Sequence, residues 1–166
     1  HFNSIQEAML AVNPVMEHHL YTCELMDKTI LDCTRNHSGY QKNRFFLKGD
    51  PKAILLLELR NHNLSTLKKE LSALEKKVSD SNLSYAAVPL WGDEIELANE
   101  LRHAGLGLLG NIVGDSKAVA CIEDTAVPLK DLALYIEEFQ ELMKQFGQEV
   151  VYYAHAGAGE LHLRPI

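Results

Sequence analysis

Apolar residues recur at helical spacing at Ile5, Ala8, Met9, Val12 and Met16, directly after Asn3-Ser4, whose side chains suit a helix cap. The spacing predicts an amphipathic helix over residues 4–18. Leu20 to Leu25 reads as a strand, and Asp27 caps a shorter helix running to about Cys33. The polar stretch Thr34 to Lys48, with Gly39 and two asparagines, reads as a mobile loop closed by the turn residues Gly49-Asp50-Pro51. Ala53 to Leu59, apolar apart from Glu58, has the pattern of a well-buried strand. A Ser65-capped helix follows to about Val78, with Leu64, Leu67, Leu71, Leu74 and Val78 as its stripe.

The second half repeats the alternation. Leu83 to Pro89 is predicted as a strand, Asp93 to Ala104 as a helix, Lys117 to Ile122 as a strand and Leu129 to Phe146 as the longest helix, stopped by Gly147. Glu149 to Ala154 and Leu161 to Ile166 complete the order α-β-α-β-α-β-α-β-α-β-β. Periodicity alone fits either a parallel sheet or interleaved split βαβ units with an antiparallel sheet.

Composition narrows the class. With 166 residues, 46% of them hydrophobic and 23% charged, the chain is long enough to bury a core without disulfides or a structural metal, and residues 1–166 read as one domain. Lys and Arg number 16 against 23 Asp and Glu, and the resulting charge of −7 argues against a nucleic-acid partner. The longest apolar run, Ala53 to Leu57, is far too short for a membrane span. Cys23, Cys33 and Cys121 form no CxxC pair, which fits a reducing compartment, by default the cytoplasm. A start at His1 without methionine and a stop just after a strand-like stretch suggest a piece of a longer chain.

Four groups of residues could carry chemistry. Gly105-Leu-Gly-Leu-Leu-Gly110 satisfies GxGxxG, but a helix precedes it and a strand follows, the reverse of what cradling a pyrophosphate needs, so a helix end is expected there. His155 ends a strand, Ala-Gly-Ala-Gly turns the chain, and His162 lies in the next extended segment. Chain reversal would bring both imidazoles together as ligands for zinc or manganese, with Glu160 the nearest third donor; otherwise they are ordinary hydrogen-bonded histidines. Glu123-Asp124-Thr125 follows a predicted strand and reads as turn and cap residues before Pro128, or as paired carboxylates in a cleft. His18-His19 at a helix end and the Lys68-Lys69, Lys76-Lys77 face need no functional explanation.

His155-Ala-Gly-Ala-Gly-Glu-Leu-His162, taken with Glu24-Leu-Met-Asp27 and Glu123-Asp-Thr-Ala-Val-Pro128, resembles the C-terminal substrate (cap) domain of FAD-linked oxidases, the group of D-lactate, glycolate and D-2-hydroxyglutarate dehydrogenases. Gly105 to Gly110, Gly114-Asp115, Lys117 and the ending Leu161-His-Leu-Arg-Pro165 look most like the large FAD/FMN-containing dehydrogenases that also carry an iron–sulfur domain. The resemblance spans nearly the whole chain. It implies an α+β fold with a mainly antiparallel sheet, helices on one face and ferredoxin-like split βαβ units.

It also implies a role in oxidising a D-2-hydroxy acid, with hydride passing to FAD held by a separate domain of the parent chain. The fragment alone is then expected to be inactive, and any iron–sulfur cluster would sit on another absent domain. The family pattern carries over to His155 and His162 as catalytic and metal-holding residues, with the family's third ligand, a later Glu, falling beyond Ile166. Arg102 matches the arginine of the family's W-x-x-R motif, although Asn99 stands in place of the tryptophan. Ala158 and Glu160 replace the family's Asp and Asn. Arg164 sits where related enzymes place a polar substrate contact, and its planar guanidinium suits a carboxylate; it is favoured over Arg102 for that task. The rival expectation is a regulatory small-molecule-binding module without catalysis.

Overall fold

A computed structural model describes residues 1–35, 37–112 and 114–166; Asn36, in the expected polar loop, and Val113, in the glycine-bearing connection, lie outside the described residues. Helix α1 (Ile5–Met16) starts where Ser4 Oγ accepts a hydrogen bond from Glu7 N at 3.1 Å, while the Glu7 carboxylate accepts from Asn3 N at 2.9 Å. Strand β1 (Thr22–Asp27) leads without a break into α2 (Lys28–Arg35), because Asp27 Oδ1 accepts from Ile30 N at 3.0 Å and caps the helix. Strand β2 (Ala53–Glu58) precedes α3 (Leu64–Ser81), which Asn63 rather than Ser65 caps, by accepting from Thr66 N at 3.0 Å. Helix α4 (Asp93–Gly107), strand β3 (Ile122–Ala126), helix α5 (Leu132–Gln145) and strands β4 (Val150–His155) and β5 (Glu160–Pro165) follow.

The strands form one antiparallel sheet in the order β2-β1-β4-β5-β3. Strands β3 and β4 therefore run parallel to each other, joined through α5, with β5 inserted between them, which is a split βαβ unit. The α+β class and the antiparallel sheet are those the sequence led us to expect.

Strand alternation gives the sheet two different faces. Cys23, Leu25, Tyr152, Ala154, Leu161 and Leu163 point to one face and pack against α1, α3 and α5. Burying side chains such as Leu25, Leu161 and Leu163, each at most 1% exposed, contributes about 2 kcal/mol apiece. The other face, expected to be bare of helices, carries α2 and α4 on its β2-β1-β4 part, where Ile30, Leu31, Ala98 and Leu101 bury against Met26, Ile54, Val151 and Tyr153. These helices are too apolar on their inner sides to remain in water. Over β5 and β3 the same face carries charged residues and histidines.

Three expected elements differ. Leu83 to Pro89 joins no ladder among the described residues; it is bonded to the chain's first residue instead, with Tyr85 N donating to His1 O at 3.0 Å and the His1 amino group donating to Ala86 O at 2.8 Å. The strand expected over Lys117 to Ile122 lies five residues later. Part of the expected 34–48 loop is anchored: Asn43, fully buried, donates to Leu97 O and to Glu100 Oε2, both at 2.9 Å, and Arg44 donates to Leu31 O. Gly105 packs so closely on Ile30 that a Cβ there would overlap its side chain, so the GxGxxG run lies in the α2–α4 contact and the helix end. Among the described residues, no helix is long and apolar enough to cross a membrane.

The backbone at Gly159 and the buried Asp27 carboxyl each give a prediction. Gly159 sits at φ +72° and a Cβ there would collide with the Val127 carbonyl, so Gly159→Ala should cost at least ~2 kcal/mol in denaturant unfolding. Burial pushes the Asp27 carboxyl up to about 7, against the opposing pull of backbone N–H groups at Ile30, Tyr152 and Thr29. A carboxyl raised in the fold is protonated there while still ionised in the unfolded chain. Its contribution is complete below the unfolded value of 3.8 and is lost as pH rises through about 7. The stability difference between wild type and Asp27→Asn, followed by urea melts, should shrink between those pH values and level off above them.

Candidate functional site

The register of three strands assembles the site. Tyr153 pairs with His162, His155 with Glu160, and Val151 with Arg164 across β4 and β5, so these side chains share a face. Met26 lies opposite Tyr153 across β1 and β4, which sets Glu24, two residues earlier, on that same face beside His155. The tight turn through Ala156–Ala158 reverses the chain and brings the two imidazoles to a ring separation of 5.5 Å, nearly perpendicular at 80°. Tyr153 lies against both, 6.2 Å from the His155 ring and 5.6 Å from that of His162.

Strand β3 supplies the acidic side through a bulge. Ile122 pairs with Leu163 and Thr125 with Leu161, so the interval from Ile122 to Thr125 spans one residue more than its partner, with Asp124 at φ +56° absorbing the excess. Both Glu123 and Asp124 thereby approach His162, Glu123 Oε2 at 2.9 Å and Asp124 Oδ1 at 3.5 Å from its Nδ1. The turn reading of these residues missed the bulge; the cleft reading is nearer to their placement.

Each arginine singled out from the sequence is engaged by a glutamate. Arg164 meets Glu123 with Nε at 2.7 Å and Nη2 at 3.3 Å, a fork pointed at one carboxylate. Arg102, buried on α4, places Nη2 at 2.6 Å from Glu24 Oε2 and 3.2 Å from His155 Nδ1, with its guanidinium 5.1 Å above the Tyr153 ring. Burial alone would push the Glu123 carboxyl up, but the Arg164 hydrogen bond, joined by the Arg164 and His162 charges, holds it below the usual carboxylate range. Desolvation raises the Tyr153 hydroxyl above its ordinary value, keeping it neutral.

The residues suit a divalent cation. His155, Glu160 and His162 each offer one ligand atom within 4.8 Å of the others, as do Glu123, Asp124 and His162. The first set fits better, since Arg164 already occupies Glu123. His162 is 9% exposed, and its Nδ1, although near Glu123, is out of line for a hydrogen bond and has no other partner among the described residues. Four carboxylates, those of Glu24, Glu123, Asp124 and Glu160, face only two guanidinium groups, those of Arg102 and Arg164, a surplus of negative charge that a cation would offset.

Sequence reasoning placed His155, His162, Arg102 and Arg164 as site residues, and all four meet on this face. It quoted Glu24 only within a motif. An acidic residue set between the apolar Cys23 and Leu25 within a strand is the signal that marks it. Tyr153 carried no signal beyond strand periodicity.

Comparison with known proteins matches the family model for FAD linked oxidases, C-terminal domain, over residues 1–166. The chain is 26% identical over 171 residues to a D-2-hydroxyglutarate dehydrogenase of Pseudomonas putida and 27% identical over 174 residues to one of Escherichia coli, covering 99% of this chain and 17% of each relative. A D-2-hydroxyglutarate dehydrogenase of Pantoea ananatis is 44% identical over 73 residues, 44% of this chain and 7% of the relative. This chain thus spans about a sixth of the length of the curated relatives it matches. With the family model matching from the first residue to the last, the chain belongs to the FAD linked oxidases, C-terminal domain family.

Proposed function

We propose that residues 1–166 form the substrate-side domain of a longer flavin-dependent dehydrogenase that oxidises a D-2-hydroxy acid, with D-2-hydroxyglutarate, named for the relatives, as the first compound to assay. The observation that carries this reading is the convergence of His155, His162, Glu160, Arg102 and Arg164 on one face of the sheet. Arg164 binds the acid's carboxylate, exchanging part of its contact with Glu123 for the substrate, with Arg102 the competing candidate for that task. The half-exposed His155 accepts the hydroxyl proton at Nε2 as the C2 hydride departs and the 2-oxo acid forms. Tyr153 and the buried flank of α4 keep water from the inner side of the site.

A divalent cation such as zinc or manganese, held by His155, His162 and Glu160, would add Lewis acidity at the hydroxyl, and the His155 Nε2 lone pair would then serve the cation in place of the proton. FAD, the family's cofactor, would be held by a separate domain of the parent chain and supply the hydride acceptor, with an iron–sulfur cluster on a further domain. The free thiols of Cys23, Cys33 and Cys121 support a reducing, cytoplasmic setting.

A second reading, a small-molecule-binding module, draws on an apolar cavity of about 260 Å³ lined by Leu57, Leu71, Leu74, Val78, Pro89 and Trp91, among others. Turnover separates the two. In the parent protein, His155→Ala or His162→Ala should each lower kcat at least ~100-fold with the flavin spectrum retained, since acid–base catalysis contributes on that order. Wild-type turnover in both variants would favour the binding module. Arg164→Lys should raise KM about tenfold through loss of the planar fork; an unchanged KM in that variant, with a raised KM in Arg102→Lys, would assign the carboxylate to Arg102.

A further inference from the structure

His155 Nδ1 sits between two groups that make opposite demands on it. The Glu24 oxygens, 2.9 and 3.2 Å away, can only accept a hydrogen bond while ionised, and the Arg102 guanidinium, 3.2 Å away, can only donate one. One nitrogen cannot satisfy both. A proton on Nδ1 serves Glu24 and leaves the lone pair on Nε2; a bare Nδ1 serves Arg102 and places the proton on Nε2.

We propose that Glu24 is a positioning residue that settles this competition, fixing His155 in the tautomer with its proton on Nδ1 and its lone pair on Nε2. The proposal rests on the use of His155 given above, because only a free Nε2 lone pair can take a substrate proton or a cation. Three observations favour Glu24 over Arg102. The carboxylate contact is the shorter, and both its oxygens lie within reach of Nδ1. Arg102 Nη2 already has a closer acceptor in Glu24 Oε2, at 2.6 Å, so its approach to the ring is secondary. The β1–β4 register holds Glu24 beside His155, and its side chain is only 14% exposed, so strand geometry and burial maintain the contact.

His162 differs in a way that confines the proposal to one pair. Its Nδ1 is 2.9 Å from Glu123 Oε2 but not aligned for a hydrogen bond, and Arg164 takes both oxygens of that carboxylate. Glu123 therefore does not impose a tautomer on His162 as Glu24 does on His155.

The test is long-range ¹H–¹⁵N correlation spectroscopy on the 166-residue chain labelled at histidine, at a pH where the rings are neutral, with His155→Ala identifying the His155 signals. Wild-type His155 should show a protonated Nδ1 and an unprotonated Nε2. Glu24→Leu, which leaves Nδ1 no acceptor and only the Arg102 donor, should move the proton largely to Nε2, and in the parent protein should lower kcat more than it changes KM. Glu24→Leu/Arg102→Met, which removes the stranded guanidinium as well as the acceptor, covers the case in which the single variant does not fold, and should also lose the Nδ1–H form as the dominant one. A wild-type ring protonated on Nε2, or an Nδ1–H form that survives loss of the carboxylate, overturns the proposal. Should the tautomer respond to Glu24 while His155→Ala keeps full turnover, the positioning role stands and the catalytic reading falls; a wild-type Nε2–H ring with turnover abolished in His155→Ala gives the reverse.

Discussion

The join between β1 and β4 is the interaction on which the remainder of the molecule depends. The ladder there consists of Leu25 with Ala154 and Met26 with Tyr153, and the buried Asp27 carboxyl extends it by accepting from Tyr152 N at 2.9 Å while its other oxygen starts α2. Strands β2 and β1 lie on one side of this seam and β4, β5 and β3 on the other. A one-residue slip would turn His155 toward the apolar core and bring Tyr152 and Ala154 out to the polar face. Asp27 sets the phase of the sheet at the position where the site spans it.

The site built across that seam favours geometry over stability. Arg102 and Glu24 are nearly withdrawn from water, and the attraction between such groups does little more than offset the cost of desolvating them. Removing one partner is another matter, because it leaves an unpaired charge under α4. The pair is therefore weak as a source of folding energy and strong as a constraint on where the guanidinium and the imidazole can lie. Arg164 and Glu123, on β5 and β3, are somewhat more open to water, and the cost of desolvating them is correspondingly smaller.

How much of this was legible in the sequence depended on the range of the forces involved. Helices α1 and α5 follow from local spacing, since one apolar stripe decides which side is buried. The meeting of His155 and His162 was legible because only a small-residue turn separates them. Strand β3 was misplaced because Asp124 carries turn chemistry, and only its pairing with β5 shows that the turn-like residue is a bulge within a strand. The Leu83 to Pro89 run has strand composition, but its backbone bonds to His1, more than 80 residues earlier in the chain, and that pairing is a long-range fact. Glu24 and Arg102 are separated by 78 residues, and their ion pair exists only because α4 lies over the sheet.

The turn between the two histidines combines rigid and open positions. Gly157 lies against Met16 and Cys23, and Gly159 against Val127, with the Val127 amide also bonded to the Gly159 carbonyl at 2.8 Å. Ala156 is buried, whereas Ala158 is exposed. For directed evolution of the site, Ala158 is accordingly the position in the turn where new polar or bulky chemistry can be sampled, beside the imidazoles and without altering the spacing between them.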